Sequence, residues 1–429
     1  MKKIMGFDNW TGGSHHFERL VKPFAEQGLD LRLLHLGSWG NDIGRPKEET
    51  LGILQVRDIC YYGNIDFPDL LRREKPDLVL FMSIDTFSHR AFNRYCREAN
   101  VPTIHLLHGL MRVQAVNRAA RWKVRIVPQL LFALGRVPKA MRHVWPCYAK
   151  SLWRTKASLS EWKRFLSDIV LGAMGRFTTK RAEDARTDHC CVLVQMDVES
   201  AVEKYSLRRE DVSVVGLPDL ISFGIAPEMI GWNLDHENAD APYVMYIDTG
   251  FIFSGGVYAS PKDFIGHLVR TGKALEARGK RLIFKPHPDF FRTNLLDDVR
   301  NAGIEICEKK DFLPRLQQCC AAIVETSSAS LVPAILGLPL LLAKYDALST
   351  LDYGDLLTSY PRAKELTDLA DFSELLAEER VSLDVEKTRT WIFDNAGPLP
   401  AEEMPLRVAR VAIDLIAAFR KKSATAHAG

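Results

Sequence analysis

Three polar clusters in this 429-residue chain, each at the end of an apolar run, hold the side chains best suited to bind an anion or move a proton. Arg281-Leu-Ile-Phe-Lys285 runs into Pro286-His287-Pro288, and Ala321-Ala-Ile-Val-Glu325 opens into Thr326-Ser327-Ser328-Ala329-Ser330. Far upstream, Val101-Pro-Thr-Ile-His-Leu-Leu107 ends in His108-Gly109. The hydroxyls of Ser327 and Ser328, the ammonium of Lys285 and the ring of His287 suit an anionic ligand. Free N–H groups opening a helix over 329–336, closed by Gly337, would add partial positive charge. An imidazole near its ordinary pKa can take a hydroxyl proton at neutral pH, so His108 reads either as a base or as a structural strand-end residue. His105, inside the same strand, reads as packed in the core.

Strand, polar loop, helix N-terminus and strand in succession is the grammar of a doubly wound α/β sheet, in which ligands bind at the carboxyl ends of the strands. The chain repeats it from the start. Lys2–Phe7 reads as a strand, 8–16 as a loop, Phe17–Gln27 as an amphipathic helix and Leu31–Leu36 as the next strand. Gly12 and Gly13 in that loop allow close approach of a ligand, with His15 or His16 facing it, or they serve only a tight turn. Strands follow at Pro76–Met82, Val101–Leu107, Cys190–Val194 and Val212–Val215, completing a first domain over 1–225. Residues 226–242, polar and acidic near Asp235 to Asp240, read as a linker. A second domain over 243–422 opens with Tyr243–Asp248 and the loop holding Gly250, and closes with a helix from Pro405 to Lys422. Residues 423–429 read as a disordered tail.

Eight cysteines include the pairs Cys190-Cys191 and Cys319-Cys320 but no CxxC spacing, the pattern of buried thiols in a reducing cytoplasm rather than of a zinc site. No signal peptide and no run of about 18 apolar residues appears, so no membrane span is expected. The net charge of +3 conceals one strongly basic stretch. Between 112 and 164, thirteen Lys and Arg residues face a single acid, Glu161, and alternate with Trp122, Leu130, Leu131, Phe132, Trp145 and Trp153. This composition suits a segment lying in the interface of an anionic bilayer. Nucleic acid is the competing polyanion, disfavoured because the apolar groups are bulky and aliphatic; a basic insertion on the protein's own surface is the third reading.

Two such domains, with His108-Gly109 in the first and Lys285-Pro286-His287-Pro288 plus Glu325-Thr326-Ser327-Ser328 in the second, resemble the GT-B glycosyltransferases. The motif layout is similar to the bacterial surface-polysaccharide enzymes, among them the CMP-sialic acid and CMP-Kdo transferases and the CDP-glycerol glycerophosphotransferases. The resemblance implies two Rossmann-like domains facing across a cleft. It implies transfer from a nucleotide-sugar donor to a lipid-linked or polysaccharide acceptor, without metal or other cofactor, by inversion, on the cytoplasmic face of the membrane. His108 and His287 would be catalytic. Lys285, Glu325, Thr326, Ser327, Ser328 and Gly250 would bind the donor, with Gly12, Gly13 and His15 on the acceptor side. Three departures stand out: the sialyltransferases' acid-acid-Gly motif is missing from the first domain, with only Asp248-Thr249-Gly250 in the second, Leu331-Val-Pro333 replaces the glutamate that often reads a UDP ribose, and the basic stretch separates the histidine motifs. A polyol-phosphate transferase, a non-hydrolysing nucleotide-sugar 2-epimerase and a non-catalytic nucleotide-sugar-binding partner are the alternatives.

Overall fold

The computed structural model describes residues 1–8, 13–39, 45–63, 65–111, 140–173, 183–236, 240–254 and 257–428. Gly12, and the basic stretch from Arg112 to Lys139, lie outside them.

Fourteen described strands divide between two sheets at the centre of the sequence. The first holds β1 (Lys2–Asp8), β2 (Leu29–His35), β3 (Glu48–Leu51), β4 (Leu54–Asp58), β5 (Leu78–Phe81), β6 (Thr103–Leu106), β7 (His189–Val192) and β8 (Val212–Val214), in the order β3-β4-β2-β1-β5-β6-β7-β8. Only β3 runs antiparallel, through its hairpin with β4. The second sheet, fully parallel, holds β9 (Tyr243–Ile247), β10 (Arg281–Lys285), β11 (Glu305–Ile306), β12 (Cys319–Val324), β13 (Leu340–Ala343) and β14 (Ala363–Leu366), ordered β11-β10-β9-β12-β13-β14. Strands covered by helices on both faces must be apolar throughout, and β5, β6 and β12 are buried at every residue. Both strand orders reverse at one place, between β1 and β5 and between β9 and β12. Such a switch point opens a crevice above the sheet where neighbouring connections leave in opposite directions.

The helices carry local signals for where they start. Thr86 caps Phe87–Glu98 by accepting from the His89 N–H, and Ser260 caps Pro261–Glu276 by accepting from Asp263 N, with Pro261 in the first turn. The linker is not extended. Its Gly231 and Asn233 N–H groups donate to the carbonyls of Ile335 and Leu336 at 2.8 Å, docking it on the second sheet's layer.

The last helix corrects two expectations. It runs Met404–Ala428, so residues 423–428, expected to be disordered, continue the helix. It also returns to the first half: Arg407 donates to Val215 O at 3.1 Å, Arg420 to Asp77 at 2.7 Å, and Asn100 to the Ser423 hydroxyl at 2.8 Å. The apolar face of Leu406, Ala409, Ile413 and Ile416 continues into a turn that finds polar partners on the other domain, which no local pattern encodes. The described part of the basic stretch is helical as well. Helices Trp145–Arg154 and Leu159–Ala173 pack on Phe87–Glu98, where buried Arg90 donates to Asp168, Asp184 and the Tyr148 hydroxyl. No helix of the described residues is long and apolar enough to cross a membrane.

Candidate active site

At the second switch point the ends of three strands lie level, because Ile247 pairs with both Lys285 and Val324. The next residues, Asp248, Pro286 and Glu325, therefore stand side by side. Asp248 accepts from Gly250 N at 2.9 Å and from His287 N at 3.1 Å. Glu325, fully buried, accepts from Thr249 N and the Tyr246 hydroxyl at 2.8 Å and from the Tyr258 hydroxyl at 3.3 Å. Two buried carboxyls thus tie the loop after β9 to the loops after β10 and β12. Burial pushes Glu325 up to about 7 in spite of those donors, and it raises Asp248 as well, with the charge of Glu325 adding to the effect. Two carboxyls in one desolvated place do not ionise together.

Gly250 is required where it stands. Its φ is +78°, and a Cβ there would come within 2.9 Å of Cγ and Nδ1 of His287, so only glycine lets the imidazole lie against this loop. His287 Nδ1 accepts from Asp289 N at 3.3 Å, which puts the hydrogen of the neutral ring on Nε2. Thr326 is 4% exposed, and its hydroxyl has no hydrogen-bond partner among the described residues; the same holds for Oδ1 of Asp248. These two unpartnered atoms lie on adjacent loops at the one switch point. Ser327 Oγ accepts from Ala329 N at 3.2 Å, and Ser330 Oγ donates to Glu325 O at 2.6 Å. The expected helix over 329–336 is a 3-10 turn, Ser328–Ser330, followed by a short helix, Leu331–Ile335. Pro333 has no N–H to donate, and the short helix is buried in full. Lys285 is more enclosed than its motif suggests. Its ammonium donates to Pro286 O at 3.0 Å and lies 5.6 and 5.9 Å from the rings of Phe223 and Phe312, and burial lowers its pKa.

At the first sheet, His108 is exposed beyond the end of β6, and its Nδ1 donates to Met82 O at 2.7 Å. A carbonyl can only accept, so this bond fixes the tautomer of the neutral ring and leaves Nε2 as an acceptor. His105 is buried, as expected, and desolvation pushes it down to about 3. The ring facing His108, 5.7 Å away between centroids, is that of His16. His15, the expected acceptor-side histidine, lies one residue further out, its ring 3.9 Å from that of His16. Burial, and then Arg19, whose guanidinium meets His16 Nδ1, push His16 down to about 2, so it is a neutral ring at any physiological pH. Gly13 is buried at the start of the helix Ser14–Glu26 that presents both rings. The sequence shows His16 and Arg19 as an i, i+3 pair on one helical face, a signal not used in choosing between the two adjacent histidines. Phe223, which reaches across to the second half, had no signal beyond its place after the strand-ending Gly216-Leu217-Pro218.

Two doubly wound sheets with their functional groups at opposed carboxyl edges define a GT-B architecture. No protein-family model matches the chain, and no curated protein does. Solved structures do. The calicheamicin glycosyltransferase CalG4 matches with a TM-score of 0.52 at 13% identity, over 97% of this chain and 98% of its own. A variant of the wall teichoic acid polymerase TagF matches with a TM-score of 0.50 at 11% identity, over 98% of this chain and 90% of its own. The UDP-GlcNAc 2-epimerase of Methanocaldococcus jannaschii, solved with UDP-GlcNAc and UDP, reaches 0.47 at 13% identity, over 96% and 100%. At such identities the likeness is one of fold: the chain has the GT-B fold.

Proposed function

We propose that the chain is a glycosyltransferase that moves a sugar from a nucleotide-activated donor to a growing surface polysaccharide or lipid-linked acceptor. The observation that carries this reading is what stands at the two sheet edges: His108, oriented by Met82 O so that its Nε2 can accept a proton, and, at the second edge, the Thr326 hydroxyl, which has no hydrogen-bond partner among the described residues, in the loop next to that of His287. His108 takes the proton of an acceptor hydroxyl as that oxygen bonds to the anomeric carbon of the donor. The bond from that carbon to the phosphate oxygen breaks, and its electron pair leaves with the nucleotide. His287 Nε2–H, with the hydroxyls of Thr326 and Ser327, meets the charge that develops on the leaving phosphate. In-line attack inverts the anomeric centre.

The alternative with support of its own is polyol-phosphate transfer, since the wall teichoic acid polymerase TagF shares the fold over 98% of this chain. Mass analysis of the product formed from nucleotide-sugar and CDP-polyol donors separates the two. A product heavier by a sugar alone supports the glycosyl reading, and one that retains the donor's phosphate sinks it. The acceptor side is proposed to work at an anionic membrane surface on the cytoplasmic face. Exposed Trp153, Leu159, Leu166 and Val170 beside Lys163 and Arg164 support this on the described part of the basic stretch.

A further inference from the structure

A chain of four side chains leads from buried Glu325 to the protein surface. Tyr246, on β9, has its hydroxyl 2.8 Å from Glu325 Oε1 and 3.1 Å from Nε2 of His267. His267, on helix Pro261–Glu276, is 1% exposed, and its Nδ1 faces Asp346 Oδ2 at the ion-pair distance of 3.6 Å. The Asp346 side chain is 41% exposed and is held by Arg270 at 2.8 Å. Its backbone takes φ +50°, uncommon outside glycine, while the Tyr345 ring before it stacks on His267 with centroids 4.9 Å apart. With Glu325 ionised and His267 neutral, two hydrogens, one on Tyr246 and one on the imidazole, must fill three contacts. Whichever way they turn, one contact sets lone pair against lone pair, which a buried site penalises. Tyr258, 3.3 Å from Glu325 Oε1, adds a donor there but puts no hydrogen into any of the three. One further proton fills them all. It sits on Glu325, with Tyr246 donating to Nε2 and Nδ1–H facing Asp346, or on His267, with Nε2–H donating to Tyr246 and Tyr246 to Glu325. The bond from Thr249 N to Glu325 Oε2 stands in both arrangements. Burial pushes His267 down to about 4 and Glu325 up to about 7, so the proton rests on Glu325. Asp248, Tyr258, Tyr345 and Tyr353 are the other titratable groups facing Glu325 or His267, and burial raises all four, which keeps the phenols neutral.

We propose that Glu325, Tyr246, His267 and Asp346 form a proton relay that stores one proton beneath the loops of the second sheet's edge and exchanges it with solvent at Asp346, and that this proton controls anion binding on those loops. A proton taken from water by Asp346 passes to Nδ1 of His267, the Nε2 hydrogen moves to Tyr246, and the Tyr246 hydrogen moves to Glu325. With the proton in place Glu325 adds no charge beneath the loops. Once it is lost, a buried negative charge stands there and holds an incoming anion off. The control of binding rests on the second sheet's edge being the donor side; the relay itself does not.

The test is infrared spectroscopy of the full chain through a pH titration, reading the C=O stretch of a protonated carboxyl in the parent, Glu325→Gln, His267→Phe and Asp346→Asn. The parent should show a band that is lost as pH rises through about 7 and that Glu325→Gln lacks. His267→Phe leaves only the contact that Tyr246 fills by itself, so the midpoint should fall by about one pH unit or more. Desolvation by the apolar ring would act in the opposite direction, so a midpoint that rises or stays overturns the relay. Asp346→Asn can donate an amide hydrogen to Nδ1 and fill all three contacts with Glu325 ionised. It should lower the midpoint by a similar amount, and it decides the matter should His267→Phe fold poorly by thermal melting; an unmoved midpoint overturns the relay there too. Calorimetry with UDP and CDP on the parent and Glu325→Gln tests the control of binding. As pH rises through about 7, affinity should fall at least threefold more for the parent than for the variant. Equal falls overturn that control and leave the relay standing on the infrared result. No binding of either nucleotide at any pH removes the nucleotide-donor reading, and the control with it, but not the relay.

Discussion

At the first sheet's edge the reactive groups are rings on or near the surface, His108 beyond β6 and His16 on the helix after β1. At the second edge the ordering groups lie beneath it: Asp248 and Glu325 are buried and hold backbone N–H groups, while His287 and the Ser327–Ser328 turn sit above them. On the proposed function, the contrast follows from what each edge would have to do. A base needs a lone pair open to its substrate, and one backbone carbonyl is enough to orient it. A phosphate site needs several donors held at fixed spacing, which takes a rigid, desolvated foundation. The first edge should therefore fail by losing chemistry, and the second by losing binding and, at its buried carboxyls, stability, with only the partly exposed His287 acting on turnover.

The largest effect that can break this contrast is on turnover. His108→Ala should lower kcat by about 10²–10⁴-fold with little change in the affinity for nucleotide. A kcat within a few-fold of the parent would falsify the assignment of the base. His287→Ala, which removes a donor to the leaving phosphate, should cost about 10²–10³ in kcat and leave thermal stability nearly unchanged, because the ring is partly exposed.

The foundation of the second edge predicts a pH dependence of stability. Glu325 is held up at about 7 in the fold against about 4.5 when unfolded. The folded chain therefore binds the proton more tightly. The stabilisation this brings is complete below the unfolded value and is lost as pH rises through the folded one. The denaturation midpoint should fall between about pH 4.5 and 7, and Glu325→Gln should flatten that fall. An equal slope in parent and variant would assign the titration to another group.

Smaller again is the effect of the hydroxyls. Changing Ser327 and Ser328 together to Ala should weaken nucleotide binding by about 1 kcal/mol for each hydroxyl, roughly fivefold per group, with kcat at saturation less affected. Unchanged affinity by calorimetry would take both serines out of the site. The smallest and most salt-dependent effect is on the membrane side. The intact chain should co-sediment with anionic vesicles, and a chain with Arg121, Lys123 and Arg125 changed to Glu should do so less. The difference should shrink as salt approaches 1 M, where the Debye length is about 3 Å. Equal pelleting of both chains, or of neither, would make the stretch part of the protein's own surface.

Much of the second half was legible because its signals are contiguous. Lys285-Pro286-His287 and Thr326-Ser327-Ser328 each follow an unbroken apolar run, and a strand buried on both faces leaves little choice about where it ends. The β3–β4 hairpin and β14 escaped notice because Glu48–Leu51 and Ala363–Leu366 are short and carry charge, as edge strands do. The sequence by itself determined two wound sheets, the loops at their carboxyl edges and the residue types those loops display, since all of these follow from hydrophobic period and turn chemistry. Only the tertiary structure decided that His16 rather than His15 meets His108, and that Glu325 serves as a buried tether. It alone set Phe223 against Phe312 and Lys285 of the second half and brought the last helix back to the first. Those outcomes depend on helix rotation, strand register and the packing of distant segments, and none of these is a property of neighbouring residues.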